Sequence, residues 1–355
     1  MSYGPATGTV VRIFESYNSL QNRVLRFLGL REAVLDVSTL AIHSLPPLPP
    51  DLKTLYCYET DLTSLPPLPA GLKELYCDHT PLTALPLLPP SLEVLSCHST
   101  SISSLPLLPA GIRHLYCQST DITSLPVLTS QLTYVNCSNT QIQSLPELPQ
   151  SLKYLYCEQT QLTELPPLPP FLLRLSCSHT PLKDLPDLPE GMEYLNCSWT
   201  SITKLAKLPR LLRVLECDNT QITSLDHLPM YLCTLHCQYT PLVSIECIPS
   251  SLRIFDCSNT QLTILPNLPD KLMSAYFRDT PLLLKRQEDE SLWDYIVRWR
   301  IWRDQHESKQ RVLKRTNQIK EDLIAAAWHP GRFEGWCLDE EEKKENEFLF
   351  GACAK

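Results

Sequence analysis

Leu52-Lys53-Thr54-Leu55-Tyr56-Cys57-Tyr58-Glu59-Thr60-Asp61-Leu62-Thr63-Ser64-Leu65-Pro66-Pro67-Leu68-Pro69 decides how this chain folds. The same pattern restarts at Leu72 and holds its 20-residue register through Leu272 without an insertion or deletion. Spacing within the unit sets its shape. Leu55 and Cys57 are two apart and share one face of a strand, so Tyr56 and Tyr58 take the other. Leu62, Leu65 and Leu68 are three apart, with proline after the last two, which suits polyproline II or 3₁₀ turns. Pro66 and Pro69 would break an α-helix there. Each unit is thus a short strand, a turn and an extended return.

Stacked, such units predict a repeat solenoid with a parallel β-sheet on the concave face and a polyproline II/3₁₀ convex side. Columns of constant residues fill the space between. One column runs Cys57, Cys77, Cys97 and onward to Cys257, another Thr60, Thr80, Thr100 and onward to Thr280. Leu62, Leu65 and Leu68 each head an apolar column as well. At about 4.8 Å per strand, about thirteen units span roughly 60 Å, with gentle curvature expected from the thin back wall.

Composition agrees. A core normally stops growing before 355 residues, but a solenoid lengthens in one dimension. With 32 Pro, only 9 Gly and 43% hydrophobic residues, collagen and a disordered linker are excluded. The net charge of −8 and the scattered Lys and Arg leave no nucleic-acid footprint. No apolar run is long enough to span a membrane. Arg12, Glu15, Arg23 and Arg26 interrupt the apolar positions of the first thirty residues, which makes a poor secretory signal. A cytoplasmic, reducing compartment is expected, with a protein as partner, no nucleic acid and no membrane.

The pattern L-x-x-L-x-C-x-x-T-x-L-x-x-L-P-x-L-P resembles the leucine-rich repeat of the short bacterial-effector class. Its nearly identical Cys-and-Thr copies resemble leucine-rich-repeat proteins of large DNA viruses of amoebae. The resemblance covers residues 31–284. In that family the Thr60 column is usually Asn, whose side chain bonds the backbone of neighbouring coils. The resemblance leaves the partner open, since a fold does not fix a function.

A solenoid must cap its open core. Residues 1–30 are expected to be a partly helical N-terminal cap, on the helical spacing of Leu20, Val24, Leu25, Phe27 and Leu28. Residues 285–355 are expected to be a helical, Trp-rich C-terminal cap with an acidic tail from Glu340 to Glu347. Phe277 replaces Cys in the last coil and should help close the core. A helix is predicted from Ser291 to Ala327, with Ser291 as N-cap and Asp294 completing a short-armed capping box. Trp293, Trp299, Trp302, Trp328 and Trp336 cluster here, either packing the cap or offering a binding patch. The Trp328–Arg332 and Trp336–Asp339 stretches resemble a tail on repeat proteins of the same viruses.

Chemistry is sparse. Cysteines twenty apart are not metal ligands, which cluster at short spacing. Pointing inward, they act as small hydrophobes, and their parallel side chains disfavour disulfides. Cys233 and Cys237 bracket His236, but alternation sends His236 to the other face. Cys337-Leu338-Asp339 matches the Cys-x-Asp nucleophile motif of bacterial-effector ubiquitin ligases, although residues 285–355 are too few for that large helical domain. Glu340, Glu341 and Glu342 also oppose thiolate formation. No catalytic residue, metal or cofactor is assigned.

The exposed strand face remains. His114, Tyr134, Tyr154, Arg174 and Tyr194 form one ladder of adjacent strands. Tyr116, Asn136 and Tyr156 lie beside it, and Trp199 sits at a strand end. Tyr, Trp and Arg in contiguous rows suit a protein-binding hot spot, while Tyr also stabilises strands by stacking. The partner-binding candidates are therefore His114, Tyr134, Tyr154, Tyr156, Arg174, Tyr194 and Trp199. Tyr56, Tyr58 and Tyr76 form a second, less continuous group. A non-enzymatic interaction scaffold is the expected function. The alternatives are an assembly component, for example of a viral particle, acting through the C-terminal region, or a ligase acting through Cys337.

Overall fold

The computed structural model describes residues 11–12, 34–205, 207–282, 284, 286–287 and 290–327. The chain divides into two units, Met1–Arg286 and Gln287–Lys355.

The first unit is a ladder of parallel strands. β1 (Val11–Arg12), β2 (Val34–Asp36), β3 (Thr54–Tyr56), β4 (Glu74–Tyr76), β5 (Val94–Ser96), β6 (His114–Tyr116) and β7 (Tyr134–Asn136) lead it. β8 (Tyr154–Tyr156), β9 (Arg174–Ser176), β10 (Tyr194–Asn196) and β11 (Val214–Glu216) follow. β13 (Thr234–His236), β15 (Ile254–Asp256) and β16 (Ser274–Tyr276) end the 14-stranded sheet. From β2 onward each residue pairs with the one twenty later, as Leu155 pairs with Leu175. Before the repeats, β1 adds a strand in which Val11 pairs with Leu35. The Leu20–Leu28 stripe lies outside the described residues.

The inward columns are dry. Leu55, Cys57 and Leu62 have no exposed surface, and their counterparts through Leu262 match them closely. Each such leucine contributes about 1.5–3 kcal/mol of burial. The thiols also donate weakly along the stack, Cys77 Sγ to Ser96 O at 3.3 Å and Cys217 Sγ to His236 O at 3.3 Å. Burial pushes every column thiol up, to about 12 for Cys137 and Cys197, so none is a ready nucleophile.

Each strand leaves a buried carbonyl beyond its end. Thr60 Oγ1 donates to Cys57 O at 2.8 Å, and the same bond recurs from Thr80 to Thr260. A short hydroxyl side chain reaches the carbonyl three residues back in its own coil, where an Asn would reach a neighbour. Thr280 alone bonds across coils, to Cys257 O at 2.8 Å, in the coil where Phe277 stands for Cys. Phe277 is half-buried and meets Phe255 edge-on at 6.0 Å.

The residue just before each position of the Thr column, which Leu40 fills in the first coil, adopts left-handed backbone, from Thr39 (φ 62°) through Glu59 (54°) and Trp199 (58°) to Asp279 (52°). The conformation turns its N–H onto the next coil, as in Glu59 N to Asp78 O at 2.9 Å. Asn139, Asn219 and Asn259 tolerate it best.

The back wall is extended and largely without ladder bonds, as the prolines predict. It differs where the Pro66 column is broken by Asp226 and Glu246. With an N–H restored, Glu246 N donates to Leu225 O at 3.3 Å. A two-stranded sheet of β12 (Ser224–Leu225) and β14 (Ser244–Ile245) forms there.

In the second unit, helix α1 runs Leu292–Ala327. Ser291 Oγ accepts the Asp294 N–H at 3.1 Å and donates to Asp294 Oδ2 at 2.6 Å, so the box closes on the hydroxyl instead of the Ser291 backbone. Tyr295, Ile296 and Trp299 are buried, while Trp293 is 54% exposed. Trp302 stacks between Trp299 at 5.1 Å and His306 at 4.7 Å. Trp328, Trp336 and Cys337 lie outside the described residues.

Candidate functional site

Outward positions of β6 to β10 build one continuous face. The register aligns His114, Tyr134, Tyr154, Arg174 and Tyr194 across adjacent strands. Backbone pairing fixes these neighbours, so only the side chains adapt. His114 meets Tyr134 edge-on at 6.2 Å, and Tyr134 lies 6.0 Å from Tyr154. Arg174 places its guanidinium 5.9 Å from the Tyr194 ring centre. All the rings are half-buried and Arg174 is exposed.

The closest aromatic contacts are diagonal. Tyr134 packs on Tyr116 at 4.7 Å and on Tyr156 at 5.5 Å. Tyr116 is therefore as central as the predicted candidates and belongs with them. Its signal was present in the sequence, because residues 18 or 22 apart are diagonal neighbours when the coil is 20.

Trp199 stands apart. It occupies a left-handed turn position and stacks on His179 at 5.1 Å with planes 11° apart. No ring contact joins it to the tyrosine cluster among the described residues. The N-terminal group is more continuous than expected, since Tyr56 stacks on Tyr76 at 4.9 Å. Ser96, fully buried, then separates it from Tyr116.

The face is polarised across the strands. Exposed Lys53, Lys73, Arg113, Lys153, Arg213 and Arg253 line the side where the strands begin, interrupted by Glu193 and by Glu93, which pairs with Lys73 at 3.0 Å. Asp78, Glu158, Glu216, Asp218 and Asp256 line the side where they end. The acids are built in: Asp78 accepts Ser96 Oγ at 2.5 Å and His98 N at 3.0 Å, and Glu158 accepts Ser176 Oγ. Asp218 accepts the Gln238 N–H at 3.0 Å. Burial first, and then the Glu216 carboxylate, push the Tyr194 hydroxyl up to about 12, while that hydroxyl lies 3.2 Å from Glu216 Oε2. Burial and then Arg113 lower the His114 pKa, favouring neutral imidazole on the face.

Cys233 is half-exposed and Cys237 buried, while His236 sits between them on the outward face of β13. Among the described residues, no three His, Cys, Asp or Glu side chains converge as metal ligands.

No family model and no curated protein matches the sequence. Solved structures do. YopM from Yersinia enterocolitica is 31% identical, with a TM-score of 0.67 over 69% of this chain and 59% of that one. This chain thus spans less than two-thirds of that YopM chain. YopM from Yersinia pestis, a leucine-rich effector protein, is 28% identical, with a TM-score of 0.57 over 74% and 87% of the two chains. The functional domain of InlJ from Listeria monocytogenes, which includes a cysteine ladder, is 24% identical, with a TM-score of 0.63 over 71% and 59%. The 20-residue coil, the parallel ladder and these likenesses give this chain the leucine-rich-repeat fold.

Proposed function

We propose that this chain is a non-enzymatic scaffold that binds a protein partner on the sheet face from His114 to Tyr194. One observation carries the reading: Tyr116, Tyr134, Tyr154 and Tyr156 pack into one half-exposed aromatic surface between a basic and an acidic edge. Rigid aromatic rings offer contact area at low entropic cost, and flanking charges of opposite sign orient a partner. YopM, similar over most of this chain, is itself an effector, which supports a role in protein recognition. The buried free thiols suit a reducing, cytoplasmic compartment. The likeness to repeat proteins of amoebal viruses would make that compartment the infected host cell.

Replacing Tyr134, Tyr154 and Arg174 together by alanine tests the placement. A pulldown from host-like lysate with the intact chain supplies the partner, and titration then gives both affinities. The triple variant should lose about thirtyfold or more in affinity with little change in thermal midpoint. Unchanged affinity would move the site off this face.

A further inference from the structure

Helix α1 carries a second, independent surface. Its segment 308–320 contains Lys309, Arg311, Lys314, Arg315 and Lys320 and no acidic residue. All five basic side chains are exposed, and Lys309, Lys314, Arg315 and Lys320 have no ion-pair partner among the described residues. Like charges at Arg311 and Arg315, four apart on one face, repel each other and weaken the isolated helix.

The same segment exposes aliphatic side chains. Val312 and Ile319 lie seven apart on one face with Thr316 between them, and the same face carries Ile301 three turns earlier, beyond the polar Ser308 and Gln305. Ile301 is 57%, Val312 48% and Ile319 40% exposed. At about 100° per residue, Arg315 falls on one side of this face and Lys309 and Lys320 on the other. The aliphatic patch of Val312 and Ile319, with cations on both sides, matches a surface that is apolar beneath and anionic above.

We propose that α1 docks along an anionic lipid surface, with Ile301, Val312 and Ile319 towards the acyl chains and the flanking Lys and Arg at the headgroups. Charge complementarity selects this occupant. A second copy would set one row of cations against another. A nucleic-acid backbone would satisfy the cations but leave the aliphatic patch in water. The mode is peripheral, since no described helix is long and apolar enough to cross a membrane. It departs from the sequence expectation of no membrane partner.

The test is cosedimentation of the full chain with phosphatidylcholine vesicles, with and without phosphatidylserine. Binding is expected only with phosphatidylserine, and it should fall as added salt shortens the screening length. Each charge removed should cost about fivefold, so Lys309→Gln, Arg315→Gln and Lys320→Gln together should weaken binding on the order of a hundredfold. Val312→Ser with Ile319→Ser should weaken it about tenfold at unchanged charge. These positions are exposed, and an unchanged circular dichroism spectrum verifies the fold of each variant. No binding by the intact chain, or equal binding by the charge variant, overturns the proposal. So does vesicle binding that ignores Val312→Ser/Ile319→Ser and is abolished by a DNA duplex, which would assign the face to a phosphate backbone.

Discussion

Tyr154 and Leu155 are consecutive residues of β8, yet they belong to regions with different rules. Leu155 points inward, is fully buried, and has Leu or Val opposite it on both neighbouring strands. Tyr154 points outward, is half-exposed, and has Tyr134 on one side and Arg174 on the other. Inside, each position keeps nearly the same apolar residue down the stack because every coil closes the same space. Outside, water takes up whatever the neighbour leaves, so identity is free to vary and to serve recognition. The contrast locates stability in the columns and specificity in the rows.

The sharpest way to break this comparison is to truncate both residues. Leu155→Ala should cost about 2–5 kcal/mol, since tightly packed coils on either side limit collapse into the cavity. Tyr154→Ala should cost about 1 kcal/mol or less, the scale of a cross-strand pair on an open face. Urea midpoints measure both. Equal losses would mean that the tyrosine cluster is structural and would undercut the binding face at its root.

That division was legible in the sequence to an unequal extent. The period of twenty and the two-residue offset of Leu55 and Cys57 sufficed for strand, register and inward face, because parallel stacking leaves no freedom once the coil length is constant. The row His114–Tyr194 followed from the same arithmetic. The diagonal packing of Tyr116 on Tyr134 was less visible, since it depends on how rings lean between rows. Trp199 misled for a related reason. Its place near a strand end suggests membership of the face, but a left-handed turn carries its ring onto His179. Nothing in residue type marks that turn, where Glu, His, Ser, Gln and Trp all occur and glycine never does. The β12–β14 pair was readable in principle from the missing prolines at 226 and 246, because proline removes the donor that such a ladder needs.

A finer test concerns the Thr column, whose buried hydroxyl recurs in coil after coil. Thr160→Val keeps the shape but leaves Cys157 O without its 2.9 Å donor. An unsatisfied buried carbonyl should cost about 1–3 kcal/mol. Thr160→Ser keeps the donor and should lose less. If the valine variant were the more stable of the two, the column would be packing and not hydrogen bonding, and the inside would be simpler than argued.

The smallest expected effect falls on the border between the two regions, at Asp218. Burial is the main cause that lifts its carboxyl above the usual value; the Gln238 N–H and His236 oppose the rise, and Asp256 and Glu216 add to it. A carboxyl raised on folding holds its proton more tightly in the native state, so its contribution to stability is full below the unfolded value. That contribution is lost as pH rises through the native one. Asp218→Asn should keep an oxygen for the Gln238 N–H and remove the charge. The variant should therefore gain stability towards neutral pH by less than about 1 kcal/mol, as befits a partly exposed group. Thermal midpoints of both proteins from about pH 4 to about pH 8 should converge at the acid end and separate as pH rises. A variant that is instead less stable at neutral pH would show that the acidic edge is held in place by its basic neighbours, and would make that edge part of the structure as much as of the recognition face.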